Sequence, residues 1–269
     1  MKVFVFAYNR YDTMTTPDAL GDIPHTVLCH SEEDREKFIA GGRVQEKNLV
    51  ATGNPKGLTY NFNAALDLMD VGEWATFLVD DWVRCEQLED YDAHSLAGYV
   101  DVSIENQKEW NAKFRNVVPM SEFILRCEEA ARYCEKMGSN LAGFSSHGNV
   151  PWRGMKWKSN VFVDGRAWVI RKTHLRFDEN VQMQIDTSWT AMNIEAFGSV
   201  LVNQWVVPIC QRYSAGSYGS IEDRLEQKTR ECAYLVKTHP VFVTYRKKKG
   251  WPDGTHIGMR RLSSQSAKW

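Results

Sequence analysis

A chain of 269 residues with 43% hydrophobic side chains is long enough to bury a substantial core, as one large domain or two intimate ones. No apolar run approaches the length of a membrane span, and Met1-Lys2 leads straight into a strand pattern, which argues against a signal peptide. A net charge of −1 does not favour a strong nonspecific nucleic-acid binder. Six cysteines without a CxxC pair argue against zinc and for reduced thiols in a cytoplasmic protein.

In chain order, residues 2–7 (KVFVFA) read as a fully buried strand, with Tyr8, Asn9, Arg10, Tyr11 and Asp12 as the loop that leaves it. Residues 24–30 form a second strand. Ser31 then caps a helix whose first turn is acidic and which stops at Gly41-Gly42. Residues 48–52 make a third strand, and Gly53-Asn54-Pro55-Lys56-Gly57 a turn. A helix over 58–69 places Phe62, Ala65, Leu66 and Met69 on one face. The strand 74–79 follows. Strands alternating with helices predict a mainly parallel sheet with right-handed crossovers.

In the second half the pattern predicts helices over 121–137, 187–197 (closed by Gly198) and 221–237, and a strand end at 141–145. Residues 147–160 read as a loop. Asp164-Gly165 between 161–163 and 166–171 predicts a hairpin, 200–207 one strand, and 214–220 a mobile segment. No repeat and no linker divides the chain.

The 74–79 strand ends in Asp80-Asp81-Trp82. Chain direction puts both carboxylates at the strand's carboxyl end, where open α/β sheets bind ligands. Adjacent aspartates there suit a hard divalent cation bridging phosphate oxygens. A turn or helix cap is the other reading. Charge is uneven around them: residues 73–105 carry nine acids against Arg84, and residues 246–269 carry seven bases against Asp253. A basic end of this kind fits nucleic-acid phosphates, a nucleotide diphosphate or plain solvent. The 147–158 stretch interleaves Trp152, Arg153, Lys156 and Trp157, a mixture that suits base stacking with phosphate pairing, a sugar ring, or a buried structural role.

This order of elements, with its acidic strand end, resembles a GT-A glycosyltransferase: a single-domain α/β, Rossmann-like fold with a mixed, mainly parallel sheet flanked by helices. The resemblance implies a nucleotide-sugar-binding half over 1–105 and an acceptor-binding half over 106–269. It puts Ala7, Tyr8, Asn9 and Arg10 around the base and ribose, and Asn54, Lys56, Gly57 and Asn61 with Asn63 in the turn and helix start that complete the nucleotide pocket. For Asn61 and Asn63 an ordinary polar helix face is the other reading. Asp80-Asp81 is similar to the family's DxD motif, with Trp82 at the third position, where many members have a second Asp. Asp80 is then expected on the ribose and Asp81 on Mn²⁺ or Mg²⁺. Asp186 stands where the family has a carboxylate facing the acceptor, as general base or hydroxyl anchor; as a helix cap it reads equally well. The family's C-terminal metal histidine corresponds to His256, with His239 as competitor.

Within the fold, VFVFAYNRYD, NPKGLTYNFNAALD, LVDDW and the basic end (Lys247 and Lys248 included) resemble the TET-associated glycosyltransferases of bacteriophages, relatives of the base J glucosyltransferase. That resemblance implies a UDP-sugar donor and, as acceptor, 5-hydroxymethylcytosine in double-stranded DNA, in infected host cytoplasm, with no membrane and no obligate protein partner. A glycosyltransferase acting on a glycan or lipid-linked sugar, and a non-catalytic nucleotide- or DNA-binding module, are the alternatives. A nucleotidyltransferase needs a glycine-rich phosphate loop after the first strand, and residues 8–12 contain no glycine.

Overall fold

A computed structural model of the chain describes residues 1–54, 57–88, 115–146, 156–211, 221–247 and 256–260. Strand β1 (Lys2–Phe6) accounts for the layering, because both its faces are apolar. Val3 and Val5, with Ala7 beyond the strand, enter one core, and Phe4 and Phe6 enter another, as the two-residue repeat of a strand requires. A strand apolar on both faces must be covered on both.

The chain proceeds through α1 (Thr16–Leu20), β2 (Thr26–Cys29), α2 (Glu32–Gly41), β3 (Leu49–Ala51), α3 (Leu58–Asp67) and β4 (Trp74–Val79). Next come β5 (Trp82–Leu88), β6 (Arg115–Val118), α4 (Met120–Met137), β7 (Leu141–Phe144), β8 (Trp157–Ser159), β9 (Ala167–Arg171) and α5 (Ile185–Phe197). Strands β10 (Leu201–Asn203) and β11 (Val206–Cys210), α6 (Ile221–Thr238), and the pair β12 (Val243–Tyr245) and β13 (Ile257–Met259) follow. The central sheet has the order β3-β2-β1-β4-β9-β7-β10-β8, with β9 and β8 running against the others. Phe38 of α2 and Phe123 and Cys127 of α4 pack on one face; Phe62 of α3, Trp189 of α5 and Leu235 of α6 pack on the other. The fold is thus mixed α/β and Rossmann-like, a large, mostly parallel sheet flanked by helices. The sheet is continuous across residue 105, the expected boundary between the halves, because β4 pairs with β9.

Local chemistry sets the boundaries. Ser31 Oγ accepts the Asp34 N–H at 3.1 Å to open α2, and Gly42 closes it at φ 70°, a backbone region that glycine enters without strain. Gly198 closes α5 in the same way at φ 79°.

Three sequence expectations are corrected. Residues 161–163 form no hairpin with 166–171: Val163 is fully buried, its N–H donates to Thr190 Oγ1 at 3.2 Å, and Ala167–Arg171 lies between β4 and β7. The β-branched run there reflects burial, not pairing. Residues 200–207 are not one strand, because the chain turns at Gln204-Trp205 and β11 leaves for a second sheet of order β11-β5-β6. The expected 147–160 loop ends in a strand, since β8 pairs antiparallel with β10. The expected mobile segment at 214–220 lies outside the described residues.

Candidate active site

The chain fills β1, β2 and β3 on one side and then returns to the other side of β1 with β4. The strand order therefore reverses between β1 and β4, and the crevice beyond their carboxyl ends is where sheets of this kind bind ligands. Tyr8–Arg10 leave β1, and Asp80-Asp81 leave β4, at that crevice.

The strand exit is held by the start of α1. Thr15 and Thr16 donate their N–H groups to the Asp80 carbonyl at 3.1 and 3.3 Å. Thr16 Oγ1 donates to the Val79 carbonyl at 2.6 Å and accepts the Trp82 N–H at 3.1 Å. On the far side, Gln211 N–H donates to the Asp81 carbonyl at 2.9 Å. The acids are fixed through their backbone before any side-chain contact is counted.

Asn9 has φ 52°, a left-handed turn that Asn tolerates better than most residues. Beyond it Arg10 meets both acids: Nη1 pairs with Asp80 Oδ1, and Nη2 lies 3.2 Å from Asp81 Oδ2. Tyr8 N–H donates to Asp80 Oδ2 at 3.1 Å. Burial raises the Asp80 carboxyl to about 6, against the opposing pull of Arg10. Burial also raises Asp81, opposed by Arg10 and by the more distant Arg166. Trp82 is core: it is buried against Phe123 with ring centroids 4.7 Å apart.

A second carboxylate cluster adjoins the first. Asp164 Oδ1 accepts the Arg166 backbone N–H at 3.1 Å and Nε at 2.8 Å, and Arg166 Nη1 donates to the Pro208 carbonyl at 3.0 Å. This turn closes on its own side chains instead of joining two strands. Gly165 packs on Asp186; a Cβ there would stand 3.5 Å from the Asp186 Cβ. Asp186 lies in the first turn of α5, with Oδ1 accepting the Thr187 N–H at 2.8 Å. Burial, and then the neighbouring Asp164 charge, raise it to about 7. Cys210 joins the two clusters: burial raises its thiol, and Asp81, Asp164 and Asp80 all push it further.

The approach to α5 is fastened by Glu231 of α6, a buried carboxylate. It accepts the backbone N–H groups of Gln182, Met183 and Gln184 at 2.8, 2.8 and 2.9 Å. The Gln182 side chain in turn holds the start of α3, with Nε2 donating to Thr59 Oγ1 and Oε1 accepting the Thr59 N–H at 3.4 Å. Gly57 lets this side chain pack closely, since a Cβ would come within 2.8 Å of Gln182 Oε1 and displace it.

The nucleotide-pocket candidates divide. Ala7 is buried, and Asn54 donates to the Tyr60 carbonyl at 3.4 Å. Asn61 and Asn63 are buried, which overturns the polar-face reading of both. Asn63 ties α3 to Phe177 by two hydrogen bonds, of 3.1 and 2.8 Å. Asn61 Oδ1 accepts Thr52 Oγ1 at 2.9 Å, while its buried Nδ2 has no partner among the described residues.

The nucleic-acid candidates fare differently. Lys156 pairs with Glu129 at 2.8 Å, and Trp157 stacks on Tyr133 at 4.6 Å. Both have partners on α4 within the fold. Lys247 is exposed. Lys56, Trp152, Arg153 and Lys248 lie outside the described residues. His256 opens β13, which packs against α5, and its carbonyl accepts the Arg246 N–H at 2.9 Å. His239 is buried at the end of α6, with Nδ1 2.8 Å from Glu195 Oε2. Among the described residues no three His, Cys, Asp or Glu converge as a metal-binding group.

Sequence reasoning did not single out Thr15, Thr16, Asp164, Arg166 or Glu231. Asp164-Gly165-Arg166 carried a turn signal that hid its acid, and Glu231 is one of several acids on a solvent-patterned helix.

No helix among the described residues is long and apolar enough to cross a membrane. No family model matches the chain, and no curated protein matches it. Among solved structures, a crystal structure of a mycobacterial protein is similar over 96% of this chain and 82% of its own, at 10% identity and a TM-score of 0.45.

Proposed function

We propose that this chain is a metal-dependent glycosyltransferase that moves a sugar from a UDP-sugar to the hydroxyl of 5-hydroxymethylcytosine in DNA. One observation carries the reading: the turn Asp164–Arg166 links the two acid sites, its Arg166 carbonyl accepting the Val79 N–H beside Asp80-Asp81 at 3.3 Å and its Gly165 packing on Asp186. Such a crevice suits an anionic donor beside an acidic, proton-accepting group.

The residues fit a hard cation. Mn²⁺ and Mg²⁺ take oxygen ligands, and Mg²⁺ commonly uses one or two carboxylates together with substrate phosphates and water. Asp81, with Asp80 beside it, would hold the ion, which when bound neutralises charge on the leaving diphosphate. Arg10 already compensates this pair and would turn towards phosphate as the donor enters. Asp186, raised to about 7, is suited to accept a proton near neutrality. In the transfer, the acceptor O–H proton passes to Asp186 and the hydroxyl oxygen bonds to the anomeric carbon. The bond from that carbon to the β-phosphate oxygen breaks, and its electron pair leaves with UDP.

The test is incubation with a panel of UDP-sugars, Mn²⁺ and duplex DNA containing 5-hydroxymethylcytosine, read by nucleoside mass spectrometry. A mass gain of one sugar unit, lost on adding EDTA, is expected. No gain with any donor overturns the DNA acceptor. A second reading, transfer to a glycan or lipid-linked sugar, is favoured by the intramolecular engagement of Lys156 and Trp157, and the same donors offered with glycan acceptors test it.

A further inference from the structure

A pocket of about 490 Å³ opens between the first turn of α5 and the β12–β13 pair. Asp186 lines one side, Phe162 and Met183 supply apolar surface, and Arg246 and Arg260 line the hairpin side. Arg246 is held by its own hairpin. Its Nη2 donates to the Met259 carbonyl at 2.7 Å, its N–H to the His256 carbonyl at 2.9 Å, and its side chain lies across Gly258. A Cβ at Gly258 would come within 2.1 Å of Arg246 Nε and would displace the arginine side chain from this position. Arg260 is exposed at the rim, with its N–H on the Phe242 carbonyl at 2.7 Å. The Asp186 wall is equally fixed, because Glu231 holds residues 182–184.

We propose that this pocket receives the acceptor as a single extruded nucleotide, with its ring against Phe162, its hydroxyl at Asp186, and flanking phosphates on Arg246 and Arg260. The assignment rests on the glycosyltransferase reading above and locates its acceptor side. Three features select this ligand. The volume falls in the range of small-molecule sites, roughly 300–1,000 Å³, so it takes one nucleotide unit and not a duplex, and a base must leave the stack to enter. Two guanidiniums match phosphate oxygens in geometry and charge, a charge complement that a neutral glycan does not offer. Among the described lining residues the one carboxylate, Asp186, stands on the helix wall, where a hydroxyl can donate to it. This places DNA contact on Arg246 and Arg260 and away from the Lys156–Trp157 strand.

The experiment is a fluorescence-anisotropy titration of a short labelled duplex carrying one 5-hydroxymethylcytosine, over a range of salt, for the full chain and for Arg246→Gln and Arg260→Gln. Calorimetric UDP binding with Mn²⁺ and glycosyl transfer are measured on the same proteins. Each variant is expected to bind the duplex several-fold more weakly, with the salt slope reduced by about one, while UDP binding is unchanged. Arg260→Gln changes an exposed side chain and leaves the folded core untouched; Phe162→Ala, with transfer reduced and UDP affinity retained, is the second support. If the wild type glycosylates the duplex and all three variants bind and modify it equally well, the pocket assignment is overturned and the glycosyltransferase reading stands. If the wild type neither binds UDP nor transfers sugar to any acceptor, that reading itself is overturned. Transfer to a phosphate-free glycan in preference to the duplex overturns the nucleotide occupant alone.

Discussion

The carboxylates at the two ends of the candidate site share a chemistry and differ in their neighbours. Asp80 and Asp81 are buried beside one arginine that touches both, and their backbone is fastened on two sides. Burial and then the Asp164 charge raise Asp186 to about 7, with Lys228 pulling the other way, whereas burial raises Asp80 to about 6 against Arg10. A pair bonded directly to an arginine is suited to hold charge through a reaction, and a buried acid beside a second acid is suited to exchange a proton. The environment, not the residue type, separates the two roles.

The largest effect is expected where the pair is broken. Asp81→Asn is expected to lower Mn²⁺-dependent transfer about a hundredfold or more, the scale seen when one transition-state charge stabiliser is removed, with the folded circular-dichroism spectrum retained. Equal turnover in the variant breaks the division of roles.

Asp186→Asn is expected to cost transfer about 10²–10⁴-fold, the usual contribution of a general base, while UDP affinity is unchanged. Wild-type transfer is expected to rise with pH through about 7 as this carboxyl ionises. Stability runs the other way. A carboxyl raised in the fold destabilises its native state as pH climbs from the unfolded value towards 7. Asp186→Asn is therefore expected to melt with the wild type at pH 4 and above it at pH 8. A variant that melts lower at pH 8 shows that the ionised acid is compensated after all.

A smaller effect sharpens the comparison from outside both clusters. Glu231→Gln leaves fewer acceptors for three backbone donors and is expected to destabilise by roughly 1.5–3 kcal/mol, the worth of hydrogen bonds to a charged group. It is also expected to lower kcat at unchanged UDP affinity, since it loosens the turn before Asp186 and leaves Asp81 alone. Smallest of all, Lys156→Gln is expected to change stability by less than about 1 kcal/mol and duplex affinity not at all. A marked loss of DNA binding there restores β8 as the nucleic-acid face.

The alternation of the first eighty residues made their architecture legible, because strands β1 and β4 are continuous apolar runs and Ser31 and Gly42 punctuate α2 as their chemistry demands. The acid pair was legible for the same reason: chain direction alone puts Asp80-Asp81 at the ligand edge. Asp186 was found as a position, but not its protonation, which depends on burial and then on Asp164, a residue 22 places earlier in the chain. The β10–β11 switch was illegible, since 200–207 is uniformly strand-forming and only tertiary pairing to two different sheets divides it. Arg246 likewise read as one base in a run; its fixed position depends on Gly258, across a hairpin that no local pattern announced.

The Thr16 contacts to Val79 and Trp82 join positions 63 and 66 apart in the chain. Closing so long a loop carries an entropic cost that only the docked sheet offsets. The acidic ledge thus exists only where β1, α1 and β4 have met, and no fragment lacking any of them contains it. Whatever binds there recognises the finished protein alone, so a cognate ligand raises the melting temperature with each increment of its own concentration.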